Sequence, residues 1–565
     1  MRLNPKISAV INRLSVPNAS SWTTDQTAHA KASEPLEESK DEISASPILD
    51  SPPVHWQDDT QGVSAVQGNL EKTIRNNRRL RLAFCLSTAS LSSQTRLWQA
   101  SLELSKIVRE GSWANSDDSE DRSVTGTSYT PTTRDDDVVI TCGSGSTAAV
   151  NRVIDVLGLR LNTSWEGGVH LRARVQGGAD RPVVFIGPYE HPSNELPWIE
   201  YLADVIPIKA DSQGHIDQVD LGEKLAAFAD RPLRIGSFSA ASNVTGIISD
   251  VDGITGVLHQ AGALAFWDYA AAAPYLKIDM NPDRNDPPGL RNKDAVFISP
   301  HKFVGGPGTP GLLVAKRHLF TRSIPTNPGG GTVSFVTPHS HRYSADLVER
   351  EESGTPAIIE SIPAGLVFQL KERVGSANIE RLEADLVKRA LERWRKNPKI
   401  RILGNTHVPR LSIIIFVITH AYRTLHHNFV VALLNDPFGG QASGGCSCAG
   451  PYGHQLLGID DATGVKPGWV RLGFNYFISE ATFRFILDAV DFVAEYGPAF
   501  LALYHFDVGS GIWSNRSGRK SITLRLHDIQ YGRDDTGPGG WHSKLTEAMM
   551  RRYLDEARRL ALAMG

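Results

Sequence analysis

The sequence predicts an α/β protein built on a mainly parallel sheet, and three observations carry that expectation. Short β-rich runs alternate with helical segments from residue 138 onward, the polar motifs directly follow those runs, and the pattern changes near residue 350. In chain order, "DVVIT" precedes "AAVNRVIDVLGL", "RPVVFIG" precedes "ELPWIEYLADV", and "LRIGSFSA" precedes "ITGVLHQAG". The runs "ALAFWDY", "DAVFIS" and "GLLVAK" complete the series. Strand and helix alternating in this way place helices on both faces of a parallel sheet, with ligands outside the carboxyl ends of its strands.

Residues 138–350 therefore read as a large ligand-binding domain. Beyond it, "PAIIESIPAGLVFQLKERVG" and "ANIERLEADLVKRALERWRKN" have helical periodicity, and "LSIIIFVITH" at 411–420 has the length and β-branching of a buried strand. Residues 351–504 thus predict a smaller α/β domain, and 505–565 an appendage with a terminal helix. Residues 1–75, rich in Ser, Pro, Asp and Glu, read as a disordered tail; 76–137 read as a helical segment near 90–110 with a mobile polar loop.

The bulk numbers exclude several functions. The chain has 565 residues, 41% hydrophobic and 21% charged, with a formal net charge of −3, so neither nucleic acid nor an anionic membrane is expected as its main partner. No run approaches a membrane span. Four cysteines, Cys85, Cys142, Cys446 and Cys448, are too few and too uneven for a disulfide framework, which favours thiols in a reducing, cytoplasmic setting. Arg2, Lys6 and Arg13 with no acid before Asp25 suit either a mitochondrial presequence or a floppy terminus, and the terminus is the preferred reading.

Three motifs carry chemistry. "TCGSGSTAAVN" puts Gly143, Ser144, Gly145, Ser146 and Thr147 between a strand and a helix start, where backbone N–H groups and the helix dipole attract a phosphate or simply make a capped turn. "FWDYAAAAPY" sets Asp268 at the end of an apolar strand, where it either caps the alanine run or meets a cation. "FISPHKFVGGPGTPG" sets Lys302 at the next strand end, ahead of glycines that allow close approach to a ligand. Phosphate cradle, acid and amine in this order meet the needs of pyridoxal 5′-phosphate (PLP): an anchor, a partner for the ring nitrogen and a Schiff-base amine.

With these motifs on the page, residues 138–490 resemble the class V aminotransferase and cysteine desulfurase-like family of fold-type I PLP enzymes. The resemblance implies a seven-stranded type of sheet in the large domain. It makes Lys302 in "SPHK" the Schiff-base lysine and gathers Ser299, His301, Ser146 and Thr147 around the phosphate. His191 in "GPYEHPSNELPW" would stack on the cofactor ring and move protons, Asn243 in "SAASNVTG" would lie near its phenolic oxygen, and Asp268 would hold its ring nitrogen. Thr332 in "PGGGTVSF" resembles a residue reaching the neighbouring subunit's phosphate, implying a homodimer with shared active sites. Arg471 in "GWVRLGFNYF" matches the family's arginine strand and would bind the substrate α-carboxylate through its guanidinium fork. No metal is expected.

The reaction turns on "ASGGCSCAGPYGH". Glycines flank Cys446 and Cys448, as a travelling nucleophile requires, and "CAGP" resembles the loop whose thiol takes sulfur in cysteine desulfurases. On that reading Cys448 is catalytic, Cys446 relays or resolves, and a sulfur-acceptor protein is a partner beside the amino-acid substrate. A PLP aminotransferase, epimerase or β-lyase, or a non-catalytic PLP-binding homologue, are the alternatives. Ala271 stands where a glutamine is usual, and Ser443 where an arginine is frequent, and both departures motivate the non-catalytic reading.

Overall fold

The computed structural model describes residues 136–160, 181–283, 289–448, 450–459, 468–517 and 547–564. The N-terminal tail, the helical segment near 90–110 and Cys85 lie outside the described residues.

The main sheet has seven strands: β1 (Asp137–Cys142), β2 (Val183–Ile186), β3 (Asp204–Pro207), β4 (Arg234–Ser239), β5 (Leu264–Asp268), β6 (Ala295–Ile298) and β7 (Gly311–Lys316). They run in the order β1-β7-β6-β5-β4-β2-β3. The pairs from β3 through β2, β4 and β5 to β6 are parallel, whereas β7 is antiparallel to both β6 and β1. The mainly parallel sheet is as expected; the reversed β7 is not, and the connection explains it. Residues 299–310 hold a single short 3-10 turn, Pro300–Lys302, and a connection without a crossover helix can return only antiparallel.

Helices α1 (Gly145–Val156), α2 (Gln218–Ala227) and α3 (Val251–Gln260) cover the sheet. Alternate strand residues feed two cores: Val184, Ile186 and Phe266 pack with α1, while Val183, Phe185 and Trp267 pack with α2 and α3. Burial on both faces is why these strands read as nearly continuous apolar runs.

A hairpin, β8 (Val333–Val336) with β9 (His341–Tyr343), projects next and exposes Phe335 and Val336. A second, antiparallel sheet runs β10 (Ile400–Ile402), β11 (Ile414–His420), β14 (Trp469–Leu472), β13 (Ser443–Gly445), with β12 (Arg423–Thr424) on β11. Helices α4 (Ile358–Val374), α5 (Ser376–Trp394), α6 (His427–Phe438) and α7 (Glu480–Tyr496) accompany it.

The period of two on β11 and β14 positions the site. Ile414, Phe416, Ile418, Val470 and Leu472 enter the second sheet's core, while Ile415, Val417 and Trp469 face the core of the main sheet. Arg471 shares parity with Trp469, so it is sent toward the main sheet's strand ends.

The segment read as an appendage supplies the hairpin β15 (Tyr504–Asp507) with β16 (Ile512–Asn515) and helix α8 (Glu547–Met564). Met550, Tyr553, Leu554, Ala557, Leu560 and Ala561 form an i, i+3, i+4 stripe on α8 and pack in the second sheet's core.

Candidate active site

Strands β1, β2, β4, β5 and β6 share one direction, so their carboxyl ends meet along one edge. Nearly all the expected cofactor residues lie there. After β1 the chain turns through Gly145, at φ 60°, and α1 begins without a side-chain cap from Ser144. The Ser146 N–H donates to Ser299 Oγ at 2.8 Å. A Cβ on Gly145 would lie 2.5 Å from His301 Cε1 and 2.8 Å from Ser299 Oγ, so only glycine lets these chains converge. Thr147 Oγ1 lies 2.6 Å from Ser193 Oγ, facing the His191 loop.

The glycines after Lys302 serve internal packing more than ligand access. A Cβ on Gly306 or Gly311 would sit 2.0 Å from a carbonyl oxygen, of Pro300 and Gly145 respectively. Lys302 is exposed at the mouth of the site, yet the surrounding walls push its pKa below the ordinary lysine value. The Asp268 charge counters that shift, and Arg471 adds to it. Asp268 is 4% exposed and accepts the Ala270 N–H at 2.8 Å. Burial holds its carboxyl above the usual range, opposed by that N–H, Lys302 and Ser146. A cavity of about 280 Å³ opens beside Lys302, walled by Tyr275, Phe303, Val367, Lys371 and Tyr476.

His191 caps a short turn: its Nδ1 accepts the Ser193 N–H at 3.1 Å, which leaves the ring proton of the neutral form on Nε2. Burial, then the charges of Lys302 and Arg471, lower its pKa, so the ring is neutral near pH 7. Behind it lies a group that the sequence reading missed. Glu190 Oε1 accepts the Ser239 N–H at 2.8 Å, and Oε2 accepts Ser239 Oγ–H at 2.7 Å and Asn194 Nδ2–H at 2.8 Å. The legible signal was an acid four residues beyond a fully apolar strand, a place where burial demands donors.

The second sheet closes the site from above. Arg471 Nη1 donates to Asn243 O at 2.9 Å, and Asn243 Nδ2 donates to Ser447 O at 2.9 Å. Trp469 Nε1 donates to Ser447 Oγ at 3.1 Å. These bonds pin the middle residue of the Cys-Ser-Cys stretch, while Cys446 is half-buried and Cys448 exposed. Ser447 (φ 50°) and Cys448 (φ 57°) are left-handed, which disfavours each by about 1–2 kcal/mol. Burial lowers the pKa of Arg471 as it does that of Lys302, and the neighbouring Cys448 partly opposes both shifts. Ser443 pairs across from Arg471, and Ala271 is half-buried against the main core. Thr332 is the exception: its hydroxyl donates to Gly329 O at 2.7 Å, and it takes no part in this grouping.

The class-V aminotransferase profile matches residues 175–481, more than half the chain and all of this edge except the β1 turn. The chain belongs to the class-V aminotransferase family. It is 29% identical over 314 residues to a probable cysteine desulfurase of Staphylococcus aureus, covering 54% of this chain and 67% of the relative. In fold it is similar to a cysteine desulfurase from Thermococcus onnurineus, with a TM-score of 0.53, 21% identity, and coverage of 76% of this chain and 92% of the other. A cysteine desulfurase from Escherichia coli gives 0.52 at 20% identity, covering 75% and 92%. The seven-stranded sheet is thus that of the fold-type I PLP enzymes, and PLP is the family's cofactor.

The residues present fit that group. Asp268 is an acid raised by burial, and a protonated ring nitrogen would give it the charged partner that favours its carboxylate. The uncapped start of α1, with Ser146, Ser299 and His301 converging, suits a phosphate, and the lowered pKa of Lys302 suits a reactive amine. Among the described residues no group of His, Cys, Asp and Glu is placed to hold a metal ion, and no helix is long and apolar enough to cross a membrane.

Proposed function

We propose that this PLP enzyme abstracts sulfur from L-cysteine or a related amino acid, passing it to Cys448 as a persulfide. The observation that carries the reading is the pinning of Ser447 by Asn243 and Trp469, which leaves exposed Cys448 in the field of Lys302 and Arg471. The thiolate is the form of a cysteine that attacks sulfur, and the exposed position of Cys448 lets it reach one.

PLP bound here supplies an electron sink for the pair released at the substrate Cα. Ser146, Thr147, Ser299 and His301 would hold its phosphate, Asn243 would serve its phenolic oxygen, and Asp268 would keep its ring nitrogen protonated. Lys302 would be the amine that holds the cofactor aldehyde and would move the α-proton, a task suited to an amine whose pKa burial lowers. Neutral His191 would stack on the ring and offer its Nε2 proton. Arg471 grips the substrate carboxylate. The Cys448 thiolate then bonds to the substrate sulfur while the carbon–sulfur bond breaks. Its electron pair stays with the carbon, which is protonated, so cysteine and a thiol become alanine and a persulfide.

The exposure of Cys448 suits delivery to a sulfur-acceptor protein. The projecting β8–β9 hairpin, with Phe335 and Val336 bare, suits a homodimer with shared active sites; Thr332, fully buried with its hydroxyl on Gly329 O, would have to turn outward to reach the partner's phosphate site. Incubation of the purified chain with PLP and a panel of amino acids tests the reaction by reading sulfide, alanine, pyruvate and keto acids together. Equimolar alanine and sulfide from L-cysteine are expected. Pyruvate would indicate a β-lyase, keto acids an aminotransferase, and either would overturn the proposal.

A further inference from the structure

Glu190 is 5% exposed, and its three hydrogen bonds come from uncharged donors on two residues, Ser239 and Asn194. They join two elements. Asn194 belongs to the turn that His191 caps, and its Oδ1 also accepts from Ser237 Oγ at 2.7 Å. Ser239 ends β4, directly opposite Asp268 in the β4–β5 register. A second tie runs in parallel: Tyr189 Oη lies 2.8 Å from Ser249 Oγ, which donates to Ser239 O at 2.7 Å. A Cβ on Gly187 would meet Glu190 Oε1 at 2.6 Å, so the loop is drawn tight over the acid.

We infer that Glu190 is a positioning residue for this site: its carboxylate clamps the His191 loop to the end of β4, and His191 is held against the cofactor by that clamp. The inference rests on the proposed placement of His191 on the cofactor ring. The clamp requires an acceptor at both oxygens. Glutamine has the same shape, but its amide nitrogen must face either the Ser239 N–H or the Asn194 amide, both donors there, so one bond is lost whichever way it turns.

Burial pushes the Glu190 carboxyl up to about 7, aided by the neighbouring Asp268 charge; Tyr189 is the other titratable group coupled to it, and it stays protonated. The ionised clamp is therefore complete above neutrality and loosens as pH falls toward about 6.

The test is the affinity of the full-length apo chain for PLP, followed by absorbance, in wild type, Glu190→Gln, His191→Ala and the double variant. Glu190→Gln should weaken binding roughly tenfold at about pH 8, the equivalent of one lost buried hydrogen bond. His191→Ala should do the same, and the double variant should be no weaker than His191→Ala alone, because both changes remove one ring contact. Wild-type affinity should fall between about pH 8 and pH 6, and that slope should be shallower in Glu190→Gln, where only the titrations of Lys302 and of the cofactor phosphate remain. A wild type that does not bind PLP overturns the functional reading itself. A wild type that binds, with Glu190→Gln indistinguishable from it or with the two effects multiplying, overturns the clamp alone. If Glu190→Gln does not fold, the wild-type pH profile decides: affinity flat across that range also overturns the clamp.

Discussion

The strand-end floor and the cysteine loop meet in one site but are built by opposite rules. On the floor, Asp268, Ser146 and Ser299 are buried, each at a strand or helix end and each held by a hydrogen bond or a neighbouring charge. In the loop, one residue is pinned and its neighbour is left exposed in a left-handed conformation. The difference teaches a division of labour: the floor must hold a ligand still, whereas a thiol that visits substrate and then an acceptor must be free to leave.

The largest effect should come from breaking the floor. Lys302→Ala should reduce amino-acid turnover on the order of 10³-fold and abolish the visible band of bound cofactor, as read by absorbance. Cys448→Ser should break the other side alone: sulfide production falls by on the order of 10²-fold or more while the cofactor band is unchanged. Loss of the band in Cys448→Ser would show the two regions are not separable.

Asp268→Asn sharpens the contrast between holding and folding. Burial raises the Asp268 pKa, so its contribution to stability is fully present below the ordinary carboxylate value and is lost as pH rises through the raised one. The asparagine variant of the apo protein should therefore gain thermal stability relative to wild type as pH rises from about 4 to 7, while turnover falls roughly 10²-fold. Calorimetry at both pH values, beside turnover, checks it. The smallest effect is expected from Trp469→Phe, which frees the Ser447 hydroxyl. Loss of one hydrogen bond worth about 1 kcal/mol should change the sulfide rate by roughly fivefold and leave PLP affinity intact.

The floor was more legible in the sequence than the loop, for a physical reason. Ser146, His191, Asn243, Asp268 and Lys302 each follow an apolar run, and a parallel sheet delivers all such positions to one edge. Arg471 was legible from its strand motif, and the parity that aims it was set by Trp469 and Val470 beside it. Reversed β7 was hidden because "GLLVAK" looks like its neighbours; only the lack of a crossover helix at 299–310 marked it. The Glu190 clamp and the pinning of Ser447 depend on partners roughly 50 to 200 residues away, such as Ser239 and Asn243, which no local pattern brings together. The stripe on α8 was visible as a helix, but its seat in the second sheet's core depends on tertiary packing.

The most direct test of the central claim is the mass of the Cys448 peptide after a single turnover with L-cysteine in the absence of reductant. One added sulfur atom on Cys448, with one alanine released per chain, is the predicted result. Alanine or another product formed with Cys448 unmodified would contradict the account.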